Sequence, residues 1–366
     1  MLSDTTRPLR RELFRALGRP NSKENLEGHL AELRVGLGVR RLHVVENVIL
    51  HPSGGIIDAN GELLPDGQLR RRPYRKLVKG EALSGPVEAT AEIPGEALYL
   101  GWFSTHFGHF LIEAMARWWG VRHVDPRMPL LWQTPPNPNV ESANRILSMF
   151  GLDQHRVSLV SEPTRVRRLV IPDLMLEERH YIHKDAGIPF WEIGERLAGQ
   201  PALTDQPLYL SRSNLTAPKR RLDQAPLFEA FLASQGWRIV QPERLPIKEQ
   251  IALIRSHRVI VGPLGSALHS TLFSAHRPSI HTLTTGSPNI ASYALTADAL
   301  DTPLCCIDCA TRLETDDPEL RGMQLFDIEL AAASFHADGL TATPHVPGLG
   351  RLNEAHQIPE RPRSVP

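Results

Sequence analysis

The sequence predicts an α/β protein of two domains, and three observations carry that prediction. The chain has 366 residues, more than one domain of about 100–200 residues usually needs. From about residue 205 onward, short β-branched runs alternate with helix-like stretches, the pattern of a parallel sheet covered on both faces. The run Val259-Ile260-Val261-Gly262-Pro263-Leu264-Gly265-Ser266 ends a strand on glycine and opens a helix. Right-handed crossovers would make this second half Rossmann-like. The expected division is residues 1–200, residues 201–335, and a loosely ordered tail, 336–366, rich in Pro, Gly, Arg and Glu.

Composition narrows the class. Hydrophobic residues make up 41% of the chain, enough for real cores. Lys plus Arg and Asp plus Glu number 41 each, so the formal net charge is zero and nothing global favours a nucleic-acid partner. The three cysteines, Cys305, Cys306 and Cys309, cluster in an apolar segment. They do not form a secreted disulfide framework, and Cys306/Cys309 lack the second ligand pair of a structural zinc site, so buried thiols are expected. No apolar run approaches the roughly 20 residues that cross a bilayer. The N-terminus lacks the apolar core of a signal peptide. A cytoplasmic location follows as the expectation.

The elements are read in chain order. Residues 7–19 carry Arg7, Arg10, Arg11, Arg15 and Arg19, with Leu9, Leu13 and Leu17 at helical spacing. This predicts a short basic amphipathic helix. It can rest on an anionic inner membrane surface, or pack on its own domain with its arginines in water. Residues 42–50 read as a strand, 54–64 as a hairpin or loop-strand, 70–79 as a basic loop, and 97–101 as a strand. A helix is expected over 107–120, a buried strand over 128–133, a helix over 141–150, and short strands over 157–160 and 169–171. Next come a strand at 208–210, a helix over 225–235 ended by Gly236, and a strand at 237–240. Pro246 suits the first turn of a helix over 246–256. The strand 259–262, helix 266–273, strand 280–283, helix 292–300 and a cysteine-containing strand complete the alternation.

Three local signals bear on chemistry. In the Gly262/Gly265 turn, glycines let backbone approach a ligand, and the N–H groups of Gly265, Ser266 and Ala267 open a helix start suited to an anion such as a diphosphate. Equally, glycines occur in such turns for geometry alone. The spacing fits neither the dinucleotide fingerprint nor the Walker loop. In Tyr209-Leu210-Ser211-Arg212, a strand end delivers Arg212, with Lys219, Arg220 and Arg221 close behind. These cations suit bidentate phosphate contacts or a solvated basic loop. In Phe107-Gly108-His109-Phe110-Leu111-Ile112-Glu113-Ala114-Met115-Ala116-Arg117, the residues His109, Glu113 and Arg117 stand at i, i+4 and i+8. They form either a general-base pair with a supporting arginine or an ordinary surface ion-pair row. His180 and His183 lack a third metal ligand and read as loop or surface residues.

Taken in order, these segments resemble glycosyltransferase family 61. The family's helix motif F-G-H-W-L-x-D-x-L-P-R is matched by residues 107–117, with Glu113 at the carboxylate. The strand ending in S-R followed by basic residues is matched by 208–212 and 219–221. The phrase G-W-x-V-x-P-E-x-L is matched by 236–245, with Glu249-Gln250 beyond it. The V-G-x-H-G-A-x-L turn is matched by 261–268, and a later strand by 279–283. Two departures matter: the family's turn histidine is Leu264 here, and its strand glutamate is His281; Glu113 in place of Asp is milder, since the carboxylate remains.

The resemblance implies a GT-B-like arrangement of two Rossmann-like domains around a cleft and an inverting transfer from a nucleotide sugar to a saccharide acceptor. Glu113 and His109 would be catalytic, with Arg117 supporting. Arg212, Lys219, Arg220, Gly262, Gly265, Ser266, Ala267 and His281 would bind the donor. No cofactor and no obligatory metal is expected, because cations and the helix start can neutralise the leaving diphosphate. Surface polysaccharide biosynthesis is the expected setting, with a peripheral membrane contact through residues 7–19. The departures at Leu264 and His281 keep a second reading open, a catalytically weak sugar-nucleotide or polysaccharide-binding protein. The missing G-x-G-x-x-G argues against an NAD-dependent oxidoreductase.

Overall fold

The computed structural model describes residues 5–71, 76–79, 87–152, 156–215, 222–287, 289–313, 316 and 323–346. The β-branched run Val259–Pro263 lies inside a six-stranded sheet. Its order is Arg238–Val240, Leu208–Leu210, Val259–Pro263, Ser279–Thr284, Leu304–Asp308 and Phe14–Gly18, with every pairing parallel. A seven-stranded mixed sheet orders Val157–Val160, Leu130–Gln133, Ala91–Trp102, Thr164–Pro172, Leu42–Leu50, Ile56–Ile57 and Leu63–Leu64. Its first three pairings are parallel and its last three antiparallel. A four-stranded sheet of Thr6–Pro8, Arg34–Gly36, Tyr181–His183 and Leu176–Glu177 lies beside these two.

One apolar core runs from Leu98, Leu130 and Trp132 of the mixed sheet to Leu208, Ile260 and Ile280 of the parallel one. Aromatic rings bridge the halves. Phe110 stacks on Phe150 at 5.3 Å, Phe150 on Phe273 at 5.8 Å, and Phe190 meets Phe273 edge-on at 5.4 Å. The far face of the parallel sheet is covered by the helices Ala225–Ser234 and Ile328–Ala337, through Phe228, Phe231 and Phe335. Helix ends follow their local chemistry. Asn139 accepts from the Ser142 N–H at 2.9 Å, Asp327 from the Leu330 N–H at 3.1 Å, and Gly199 closes Ile188–Ala198 at φ 64°.

The N-terminal segment corrects an expectation. Residues 7–19 form no amphipathic helix. Thr6–Pro8 is a strand, Arg11–Leu13 a single 3₁₀ turn, and Phe14–Gly18 the edge strand of the parallel sheet. Phe14 pairs with Leu304 and Gly18 with Asp308. Gly18 takes φ +97°, and an added Cβ would lie 2.2 Å from the Asp308 carbonyl oxygen. Four of the five arginines are occupied by carboxylates rather than displayed as a row, and Arg11 donates to the Glu27 carbonyl oxygen at 3.5 Å. Arg7 and Arg10 hold the buried Asp298, Arg10 also reaches Asp301 at 2.5 Å, Arg15 pairs with Asp338, and Arg19 with Asp308 at 3.2 Å. The helical basis for a membrane contact through these residues is therefore absent. Among the described residues no helix is long and apolar enough to cross a membrane.

A second correction concerns residues 107–120. Phe107–Ile112 is α-helical, Glu113 breaks it at φ −120°, and Ala114–His123 continues as 3₁₀. The cysteines match expectation: all three are buried and free. His183 does not. It lies in a strand, is 2% exposed, and its Nε2 meets the Gly38 carbonyl oxygen at 2.9 Å.

Candidate active site

The strand Val259–Pro263 delivers the turn Leu264–Gly265, and Ser266–Phe273 follows as a 3₁₀ helix. At Gly265 the requirement is space rather than an unusual φ. An added Cβ would lie 2.5 Å from Arg212 Nη1 and 2.9 Å from Cζ. Arg212 itself comes off the end of the neighbouring strand Leu208–Leu210, and its guanidinium donates to the Leu264 carbonyl oxygen. A cation and the first N–H groups of a helix thus meet at the C-terminal ends of two adjacent parallel strands, where ligands of such sheets bind.

The loop carrying Arg212 is held by a residue that sequence reasoning missed. Ser211 Oγ donates to Glu229 Oε1 at 2.7 Å, and Ser213 Oγ to Oε2 at 3.1 Å. Burial raises the Glu229 carboxyl above its usual range, and the two hydroxyl donors oppose the rise.

Around Arg212, Gly265, Ser266 and Ala267 lies a cavity of about 720 Å³. Its opposite wall is Thr105, His106 and Phe107, which follow the strand Ala91–Trp102 of the mixed sheet. Arg312, an exposed cation, and Asn289 also line it, and no motif marks either in the sequence. Gly262 does not line it. Its Cα faces the adjacent strand, where a Cβ would meet the Leu210 carbonyl oxygen at 3.0 Å, so this glycine serves the sheet.

A second chamber of about 170 Å³ opens beside the first and shares His106, Leu264, Gly265, Ser266 and Asn289 with it. Here the helix Phe107–Ile112 brings in His109. Its Nδ1 stands 3.2 Å from Glu113 Oε2, close enough for a charge contact but without the alignment of a hydrogen bond. The Glu113 side chain is 3% exposed and that of His109 30%, so the imidazole faces the chamber and the carboxylate lies behind it. Glu178 adds another carboxylate. Ligand atoms of His109, Glu113 and Glu178 lie within 4.8 Å of one another, a set able to hold a divalent cation.

His269 forms the chamber's inner wall. Its ring stacks on Tyr293 at 4.4 Å and 8°. Burial, with His109 and His106 nearby, lowers its pKa to about 3. It is therefore a neutral imidazole at any ordinary pH.

Two expected site residues lie elsewhere. Arg117 does not continue the His109/Glu113 row, because the chain departs from the α-helix at Glu113. It is 2% exposed, with its guanidinium 5.6 Å from the centre of the Tyr99 ring. It donates to the Pro172 carbonyl oxygen and, at 2.9 Å, to that of Asp66. His281 lies within the strand Ser279–Thr284 and lines neither chamber. Side chains alternate across a strand, and this one faces the Cys305 side, where Nε2 meets Asp338 Oδ2 at 2.6 Å. Lys219 and Arg220 lie outside the described residues.

The Glycosyltransferase 61 family model matches residues 107–280, just under half of the chain, and over this segment the protein is similar to that family. No curated protein matches it. The match supports glycosyltransferase activity, with a nucleotide sugar and an acceptor as the general substrate classes.

Proposed function

With residues 107–280 similar to glycosyltransferase family 61, we propose that this protein is an inverting glycosyltransferase of GT-B-like design. It moves a sugar from a nucleoside-diphosphate donor to a hydroxyl of a saccharide acceptor. The observation that carries the reading is the wall the two chambers share: Gly265 and Ser266 line both, with Arg212 in one and His109, backed by Glu113, in the other. The donor diphosphate lies against Arg212 and the Gly265 and Ser266 N–H groups. The acceptor hydroxyl enters beside His109.

The chemistry balances as a single displacement. The hydroxyl proton passes to the His109/Glu113 pair: His109, which faces the chamber, takes it, and Glu113 behind the ring orients the imidazole and stabilises its charged form. The acceptor oxygen bonds to the anomeric carbon on the face opposite the nucleotide. The bond from that carbon to the phosphate oxygen breaks, and its electron pair stays on the diphosphate. Arg212 and the turn N–H groups stabilise the charge that develops there. These groups act without an obligatory metal in this reading. Surface polysaccharide biosynthesis in the cytoplasm is the proposed setting, resting on the family resemblance.

The test is Glu113→Gln, which keeps the shape and removes the carboxylate that supports His109. Transfer is lost while nucleotide binding persists; unchanged turnover would sink the role. A second reading, a sugar-nucleotide-binding protein of weak activity, is favoured by Leu264, an apolar side chain in the glycine turn that lines both chambers. Measurable transfer by the wild-type protein excludes it.

A further inference from the structure

The smaller chamber is unusual in its polar atoms. Among the described residues, two of the buried side-chain atoms without a hydrogen-bond partner belong to residues that line it: His269 Nδ1 and Ser292 Oγ. His269 is 6% exposed and Ser292 4%. Buried polar groups are nearly always satisfied, and leaving one unmade is costly. Two such residues on one small cavity mark a place where a ligand supplies the missing partners.

We propose that this chamber is the donor-sugar subsite, shaped for an uncharged sugar ring, and that His269 and Ser292 set its specificity. The proposal rests on the transferase reading, and it adds which sugars are accepted and by which residues. Position argues for the donor's sugar. The chamber begins at the Gly265/Ser266 turn, so a group bonded to a phosphate held at that turn points into it. Size agrees: about 170 Å³ is roughly the share of five or six waters in the liquid, enough for one ring and its hydroxyls.

Charge argues for an uncharged sugar. His269 stays neutral because it is buried, with His109 and His106 nearby, so it offers a hydrogen bond and no counter-charge. Glu178 lines the chamber and Glu113 backs His109. These carboxylates oppose the carboxylate of a hexuronic acid. Asn289, Ser292 and Tyr293 all lie beyond the segment that the family model matches. The wall that selects the sugar is therefore built partly from residues outside that segment.

Calorimetric titration tests this with three nucleotides, UDP, dTDP and GDP, each as free diphosphate, neutral-hexose conjugate and hexuronate conjugate. In the series that binds, the hexose conjugate is expected to bind at least tenfold tighter than the free diphosphate, and the hexuronate no tighter than the diphosphate. Ser292→Ala and His269→Gln should each cut the hexose advantage at least threefold while changing free-diphosphate affinity less than twofold. An advantage unchanged in both variants overturns the subsite, as does a hexuronate preferred to the hexose or a loss shared equally by the free diphosphate. Each of these results leaves nucleotide binding, and the transferase reading, standing. Absence of binding in all three series overturns both. The mild Ser292→Ala change keeps the test valid if His269→Gln disturbs folding.

Discussion

On one wall of the cleft, Arg212, Gly265 and Ser266 sit at the ends of adjacent parallel strands, where backbone geometry alone aims a cation and N–H groups at a common point. On the other, His109 and Glu113 sit on a helix that ends at Glu113, and their 3.2 Å approach depends on where that helix breaks. The first wall is a repeated βα design. The second is a local irregularity fixed by tertiary contacts. Binding of a diphosphate and the chemistry of transfer should therefore fail separately when each is damaged.

The largest expected effect is on the chemistry. Glu113→Gln should lower transfer by about 10²–10⁴-fold, the usual contribution of acid–base catalysis, because His109 loses its supporting carboxylate, with nucleoside-diphosphate affinity within twofold of wild type. Equal losses in both would merge the two walls into one unit.

Arg117 tests how the break at Glu113 is held. Its guanidinium ties the 3₁₀ segment to Pro172 and Asp66. Arg117→Met strands the Pro172 and Asp66 carbonyls, and Asp66 Oδ1 loses an ion contact at 4.0 Å. A stability loss of about 3 kcal/mol is expected in urea unfolding. A neutral change would mean that the irregular segment holds itself.

These two regions also differ in how far the sequence foretold them. The strand–turn–helix at residues 259–273 was readable because a β-branched run, two glycines and a small polar residue each restrict the local backbone in the same direction. The His109/Glu113 approach was readable as an i,i+4 spacing. The row through Arg117 was misleading, because its fate depends on carbonyls of Asp66 and Pro172 far away in the chain. The N-terminal arginines misled for the same reason. Leu9, Leu13 and Leu17 repeat as in a helix, but the open edge at Leu304–Asp308 and the buried Asp298 draw the segment into a strand. His269, Ser292, Glu229 and Arg312 are single polar residues without a pattern, and only the folded chain brings them to the site.

A smaller effect is expected on the diphosphate wall. Gly265→Ala places a methyl group where Arg212 lies. Because the guanidinium is the mobile end of its side chain, the fold should persist while diphosphate affinity falls about tenfold, near 1.4 kcal/mol. Unchanged affinity would remove Arg212 from the binding wall.

The effect furthest from function is on stability against acid. His269 has a folded pKa of about 3 against an ordinary 6.5, so the unfolded chain takes up a proton that the folded one refuses. Its contribution is complete above about pH 6.5 and is lost as pH falls from there towards about 3, at up to ~1.4 kcal/mol per pH unit. Relative to wild type, His269→Gln should lose stability less steeply between pH 6 and pH 4. Parallel curves would mean that the imidazole is not held neutral.

The most direct measurement is a crystal structure of the wild-type protein with the nucleoside diphosphate that binds best in titration. The two-wall account predicts the diphosphate against the Gly265 and Ser266 N–H groups and the Arg212 guanidinium, with its terminal phosphate turned towards the chamber of His109 and His269. A diphosphate bound away from the Gly265 turn, or one whose terminal phosphate points away from His109, would contradict it.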